Sequence, residues 1–175
     1  MLPIKKTKTA YIAYTAIFTA ICFVINYIYI PFGGMFAISF VPTICYLTGI
    51  LLNPFLALVV GGLSDILGCF AKGYPPNIFI LLGSSLWGLI MGLSYKYLKL
   101  SRLLKMVIGG VTSVVICSFL LNSYGIYTYT TKGTPFLAFA LPRLVVQIPN
   151  TIVNVAISYV LVRSLEKAIR PKTEE

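Results

Sequence analysis

Residues 54–71, 78–98, 103–127 and 135–165 are apolar runs separated by only a few residues each. About 20 predominantly apolar residues suffice to cross the roughly 30 Å hydrocarbon core of a bilayer. In that core every backbone N–H and C=O needs an internal partner, so back-to-back runs of this length confine the chain to α-helices. Two more runs, 10–30 and 36–52, complete a set of six. Pro31-Phe32-Gly33-Gly34 breaks the first from the second, and Asn53-Pro54 ends the second while opening the third. KGYPPN, residues 72–77, forms the next loop. The expected fold is an all-α membrane protein of six transmembrane helices, a single domain over residues 1–175. With 58% hydrophobic and 10% charged residues, the composition is far from the ~25% charge of a soluble domain.

The basic residues orient the spans. Lys5, Lys6 and Lys8 precede the first run, Lys96, Lys99, Arg102 and Lys105 surround the turn between the fourth and fifth, and Arg163, Lys167, Arg170 and Lys172 lie at the C-terminal end. An even number of spans puts all of these on one side, which the positive-inside rule makes the cytoplasm. Both termini are therefore expected inside, with Lys72 and Lys132 outside. The same distribution argues against nucleic acid as the partner of the +10 net charge. The basic start followed by an apolar run is expected to be the first span rather than a signal peptide, because the run is too long for an h-region and has no small-residue cleavage site.

One cation remains: Arg143, inside the sixth run. At about 100° per residue, Arg143, Gln147, Asn150 and Asn154 fall on one stripe roughly 16 Å long, starting near the outer surface. Polar groups at this depth face a bundle interior or a wet cavity. Pro142 and Pro149 interrupt the same half of the helix and free backbone groups that need partners. The stripe is expected to line a ligand cavity open to the outside. The alternative is an arginine snorkelling to the interface with amides bridging helices. Other spans supply candidates for the opposite walls: Asn26, Asp65, Ser84 and Trp87, Ser118 and Asn122, and among the outer tyrosines Tyr74. A carboxylate as deep as Asp65 has to be protonated, paired or ligand-bound.

Small residues mark close helix contacts. Gly88-x-x-x-Gly92 permits backbone approach within the chain. Ala16-x-x-x-Ala20, with Ala13, forms a flat patch on the cytoplasmic half of the first helix, for internal packing or for a partner. The four cysteines lie in apolar runs without a CxxC pair, so neither metal nor disulfide is expected. There is no GxxxxGK[ST] loop for ATP, and a chain without histidine and with four acidic residues is poorly equipped for catalysis. The residues describe a pocket without an engine, to be powered by other subunits. No cofactor is expected.

Taken together, the chain resembles the substrate-binding S components of energy-coupling factor (ECF) vitamin transporters. The resemblance rests on Phe40-x-Pro42…Gly49…Pro54…Gly61…Asp65-Ile66-Leu67-Gly68, on the Ala16/Ala20 patch, and on Leu121-Asn122-Ser123-Tyr124 with Gly133-Thr134-Pro135-Phe136-Leu137-Ala138 and Pro142-Arg143-Leu144. The last block is similar to the folate-type branch. It implies a module in a bacterial plasma membrane that captures a vitamin at the outer face. A transmembrane coupling subunit, docked at the alanine patch, and two ATPases would then drive its release inward. Loops 31–35, 72–77 and 128–134 would close over the ligand. Arg143, Gln147, Asn150, Asn122, Trp87, Ser84, Asp65, Asn26 and Tyr74 are the expected ligand contacts. Folate is the first candidate. Pantothenate or another small anionic or heterocyclic nutrient is the alternative within the family, and a non-transporting scaffold or an autonomous carrier lies outside it.

Overall fold

The computed structural model describes residues 8–27, 30–31, 37–130, 133 and 135–169. Helix α1 covers Lys8–Tyr27, α2 Val41–Leu51, α3 Pro54–Lys72 and α4 Ile78–Tyr97. Helix α5 is continuous from Arg102 to Thr130 and has three parts: Arg102–Ser113, a π-helical stretch Val114–Asn122, and Ser123–Thr130. Helix α6, Phe136–Ile169, runs through Pro142 and Pro149. Two residues, Ile30–Pro31 (β1), pair antiparallel with Ala37–Ile38 (β2). Five of these helices are long and apolar enough to cross a membrane; α2 has 11 residues.

The second span is therefore shorter than the expected 36–52. Proline fixes its own φ near the helical value and has no N–H, which suits it to a first turn where N–H groups lack intrahelical partners. With Pro42 in its first turn, α2 starts at Val41, and Phe40 stands outside as N-cap. What α2 lacks in length it recovers in burial. Every residue from Pro42 to Leu51 is buried, because the helix is enclosed by α1, α3, α4 and α6. An apolar surface all round is what such a central position requires.

Close approach at the centre depends on glycine. A Cβ on Gly88 would meet Ala57 Cβ at 2.5 Å and the Cys45 carbonyl at 2.6 Å, and one on Gly92 would lie 2.7 Å from the Gly49 carbonyl. The Gly88/Gly92 pair thus packs inside the chain, against α2 and α3. Tyr46 is fully buried in the same region, and its hydroxyl shares a 2.8 Å hydrogen bond with Ser113 Oγ that ties α2 to α5.

Caps set the other boundaries. Asn53 accepts from Phe55 N at 3.0 Å with Pro54 following, and Gly73 closes α3 in the left-handed region at φ 71°. Asn77 accepts from Phe79 N at 2.8 Å to start α4. Its amide also donates to the Gly125 carbonyl at 3.0 Å, so the α3–α4 connection is tied to α5. Helix α5 continues to Thr130, past the point where a loop from 128 was expected; Thr128 Oγ1 bonds back to Gly125 O at 2.7 Å. Of the three expected closing loops, residues 32–35, 131–132 and 134 lie outside the described residues.

Candidate functional site

The polar residues expected to line a cavity converge at the end of the bundle that carries the α1–α2, α3–α4 and α5–α6 connections. One lobe, of about 140 Å³, is walled by Asn26, Ser39, Val41, Pro42, Asp65, Ser84, Trp87, Ser118, Asn122, Arg143, Gln147 and Asn150. A second lobe of about 310 Å³ is bounded by Asn26, Ser39, Asp65, Gly68, Cys69, Lys72 and Tyr74. The lobes share Asn26, Ser39 and Asp65, which form a waist between them. Arg143 stands in the first lobe and Lys72 in the second. All nine expected contact residues line one lobe or both, and Tyr74 is the exposed one, at the rim of the second.

Each wall has a local cause. Helix α6 brings Arg143, Gln147 and Asn150 on one stripe, with the Arg143 guanidinium carbon 5.7 Å from the Phe139 ring centroid. The fourth member of the stripe, Asn154, does not reach the cavity. It is fully buried and structural: its Oδ1 accepts from Thr43 N at 3.1 Å and Thr43 Oγ1 at 2.6 Å, and its Nδ2 donates to Ser39 O at 3.0 Å and Asn150 O at 2.7 Å. Thr43 N belongs to the first turn of α2, where N–H groups lack intrahelical partners. A side chain of α6 therefore caps α2 and holds Ser39, Val41 and Pro42 at the cavity.

Ser118 and Asn122 come from the π-helical stretch of α5. In the widened turn Ser118 O accepts from the backbone N–H of Ser123, five residues on, and Ser123 Oγ donates to the same oxygen at 2.8 Å. Both residues lie within the stretch and both line the first lobe. Such bulges recur at functional sites. On α4, Gly83 makes room for Asn122, whose Oδ1 would clash with any Cβ there. Trp87 is 5% exposed, and its ring lies 5.9 Å from that of Tyr46.

Asp65 is buried at the waist. Its Oδ1 accepts from Ser84 Oγ at 3.2 Å, while its Oδ2 is enclosed and accepts no hydrogen bond from any described residue. Lys72 was expected only as an outer-loop charge. Its Nζ donates to Asn26 O at 2.7 Å and to Asn26 Oδ1 at 3.3 Å, locking α3 to the end of α1 beside the second lobe. Lys72, Ser39 and Gly68 are cavity residues that pattern reading did not select. A lone lysine in a loop lacked a periodic context, and Gly68 matters because a Cβ there would lie 2.8 Å from Asn26 Nδ2.

A larger cavity lies elsewhere, a groove of about 590 Å³ between α1 and α3 lined by Ala16, Ala20, Tyr11, Phe23, Leu63 and Leu67 among others. Ala13, Ala16 and Ala20 are all exposed, so the alanine patch is not internal packing. Thr15 and Thr19, which also line the groove, turn their hydroxyls back onto Tyr11 O (2.7 Å) and Thr15 O (2.8 Å) of their own helix. The groove has almost no polar chemistry with which to recognise a water-soluble molecule. Despite its smaller size, the polar two-lobed cavity is the candidate ligand site. Among the described residues no group of His, Cys, Asp or Glu could hold a metal ion.

An all-helical membrane protein with a central short helix and an amide-lined cavity at one end belongs to the class of membrane-embedded small-molecule binders. The chain is a member of the ECF-type riboflavin transporter S component family, whose profile matches residues 6–170. It is thus a substrate-binding subunit of an ECF transporter. The fold is that of solved S components. A crystal structure of FolT bound with folic acid matches with a TM-score of 0.74 at 20% identity, over 88% of this chain and 94% of that one. An S component for biotin matches at 0.73 and 19% identity, over 93% and 94%, and an S component of a bacterial ECF transporter at 0.63 and 15%, over 94% and 99%. No curated protein matched the sequence.

Proposed function

We propose that this S component captures folate at the outer face of a bacterial plasma membrane, with six membrane-crossing segments and both termini in the cytoplasm. A transmembrane coupling subunit and two ATPases then drive its release inward. The observation that carries the choice of ligand is the pair of cationic side chains, Arg143 and Lys72, in two lobes joined by a polar waist. Folate is elongated, with an anionic glutamate end and a flat heterocycle whose edge both donates and accepts hydrogen bonds. Asn122, Gln147 and Asn150 supply amides for such an edge, Trp87 an aromatic face, and Arg143 a planar donor for carboxylate or ring. FolT with folic acid and an S component for biotin share this fold about equally, with TM-scores of 0.74 and 0.73, so the choice of folate rests on the cavity chemistry. Riboflavin, named by the family, carries no charge and offers these cations no carboxylate. Ala13, Ala16 and Ala20, exposed beside the α1–α3 groove, are the proposed docking surface for the coupling subunit.

Fluorescence of Trp87, the single tryptophan, reports the test in detergent-purified protein titrated with folate, pantothenate, riboflavin, thiamine and biotin. Saturable binding of folate, weakened about 100-fold or more in Arg143→Ala while the protein still folds, is expected from loss of a charge-assisted contact. Saturation by another vitamin alone would overturn folate. Unchanged affinity in Arg143→Ala would remove that residue from the site.

A further inference from the structure

Asp65 poses a chemical problem that the hydrogen bonds of the described residues do not solve. It is the one acidic residue within the described helical spans up to Leu165, it is 9% exposed, and it borders both lobes. A carboxylate has two oxygens and about four acceptor positions. Here one oxygen accepts a single 3.2 Å hydrogen bond from Ser84, and the other accepts none from a described residue. Lys72, the cation of the adjoining lobe, spends two of its donor contacts on Asn26. Leaving acceptor capacity of an acid unused in a buried site is costly. Such a group calls for an explanation, and at a cavity wall a bound ligand supplies one; Asn122 Oδ1, in the first lobe, is in the same position.

The missing partner has a defined form. It must supply N–H donors, two of them adjacent, since a planar carboxylate accepts best through two parallel bonds. Rotation about the Cβ–Cγ bond of an aspartate is soft, so either oxygen can be turned to the cavity while Ser84 holds the other. The donors must also be part of a flat ring, because Trp87 and Pro42 flank the same lobe. A 2-amino-4-oxopyrimidine edge has this pattern, with a ring N–H beside an exocyclic NH₂. A 2,4-dioxopyrimidine edge, the type found in flavins, has one N–H between two carbonyls and sets oxygen lone pairs against the carboxylate.

We infer that Asp65, oriented by Ser84, is the specificity-determining residue of the cavity and selects ligands with a 2-amino-4-oxopyrimidine edge over their 2,4-dioxo counterparts. The inference rests on the polar cavity being the ligand site and deepens the folate reading by assigning the group that reads the ring. It places the ring in the first lobe with its donor edge on Asp65 at the waist, and the carboxylates toward Lys72 in the second.

The test pairs two probes that differ only at this edge, pterin (2-amino-4-oxopteridine) and lumazine (2,4-dioxopteridine), as competitors of folate for the purified chain. Wild type is expected to bind pterin about 100-fold more tightly than lumazine, the size of a two-bond, charge-assisted difference. Asp65→Asn is nearly isosteric and presents a donor where an acceptor is needed; it is expected to lose most of its folate affinity and the preference between the probes. Ser84→Ala should reduce the preference without abolishing it. Equal affinity of wild type for pterin and lumazine overturns the inference, and that readout needs no variant. Folate binding and probe preference that survive Asp65→Asn overturn it while leaving the folate reading in place. Failure of wild type to bind either folate or pterin overturns both.

Discussion

Replacing Asn154 by alanine should destabilise this protein although Asn154 touches no cavity. The side chain is fully buried and links α6 to the start of α2. Its interhelical hydrogen bonds go to Thr43 Oγ1, to Ser39 O, and to Thr43 N, which it shares with Phe40 O at 3.1 Å. Interhelical hydrogen bonds in membranes average about 0.6 kcal/mol and reach about 1.7 kcal/mol. Two undivided bonds and a shared one give roughly 1.5 kcal/mol. The small void left in a closed site adds to this, so about 2 kcal/mol is expected, a factor near 30 in the unfolding equilibrium. Equilibrium unfolding in mixed micelles would measure it. A double-mutant cycle with Thr43→Val should return a coupling of about 0.6 to 1.7 kcal/mol, because the two residues are in contact. A change within about 0.5 kcal/mol of wild type, or no coupling to Thr43, would refute the assignment of Asn154 as the cap of α2.

Other perturbations separate scaffold from surface. Gly88→Val should cost at least the 1–3 kcal/mol typical of overpacking, read as loss of monodisperse protein or a lowered unfolding midpoint, because backbone of α2 and the Ala57 side chain stand where the new carbons would go. A normally stable Gly88→Val protein would contradict the close α2–α4 contact. Leucine at both Ala16 and Ala20 should leave folate affinity within about twofold while abolishing uptake by proteoliposomes containing the coupling and ATPase subunits, since both positions are exposed and distant from the cavity residues. Undiminished uptake would remove the alanine patch from the docking surface.

Much of the architecture was legible because bilayer physics leaves few choices. Four of the runs, at 54–71, 78–98, 103–127 and 135–165, reappear as helices with ends moved by a few residues, and caps such as Asn53 and Asn77 account for their starts. The first run also stands as a helix, but it ends at Tyr27, and Ile30–Pro31 pairs as a strand instead of extending it. Less legible was anything that depends on which helix lies next to which. Burial on all sides of α2 cannot be inferred from an apolar run, since lipid and protein neighbours select the same residues. The π-helical stretch likewise has no clear composition signal; Ser123 closing onto Ser118 O is visible only after the chain is folded.

The stripe on α6 shows where periodicity stops being informative. Arg143, Gln147, Asn150 and Asn154 are equivalent by helical phase, yet only the first three meet the cavity. Depth along the axis separates them: by Asn154 the stripe has passed below the cavity and reached the start of α2. There the same amide chemistry that could read a ligand is fully spent on Thr43, Ser39 and Asn150. Asn77 is spent in the same way on Phe79 and Gly125. Asp65 and Asn122 differ, each with an oxygen left unsatisfied by described residues at a cavity wall. In a membrane interior, where water cannot absorb the difference, closure of a polar group's hydrogen bonds on the protein marks it as scaffold, and an unfilled capacity beside a cavity marks it as a reader of ligand. On that criterion Asn122, whose Oδ1 is enclosed in the first lobe without a hydrogen bond from a described residue, stands beside Asp65 as a proposed reader of ligand.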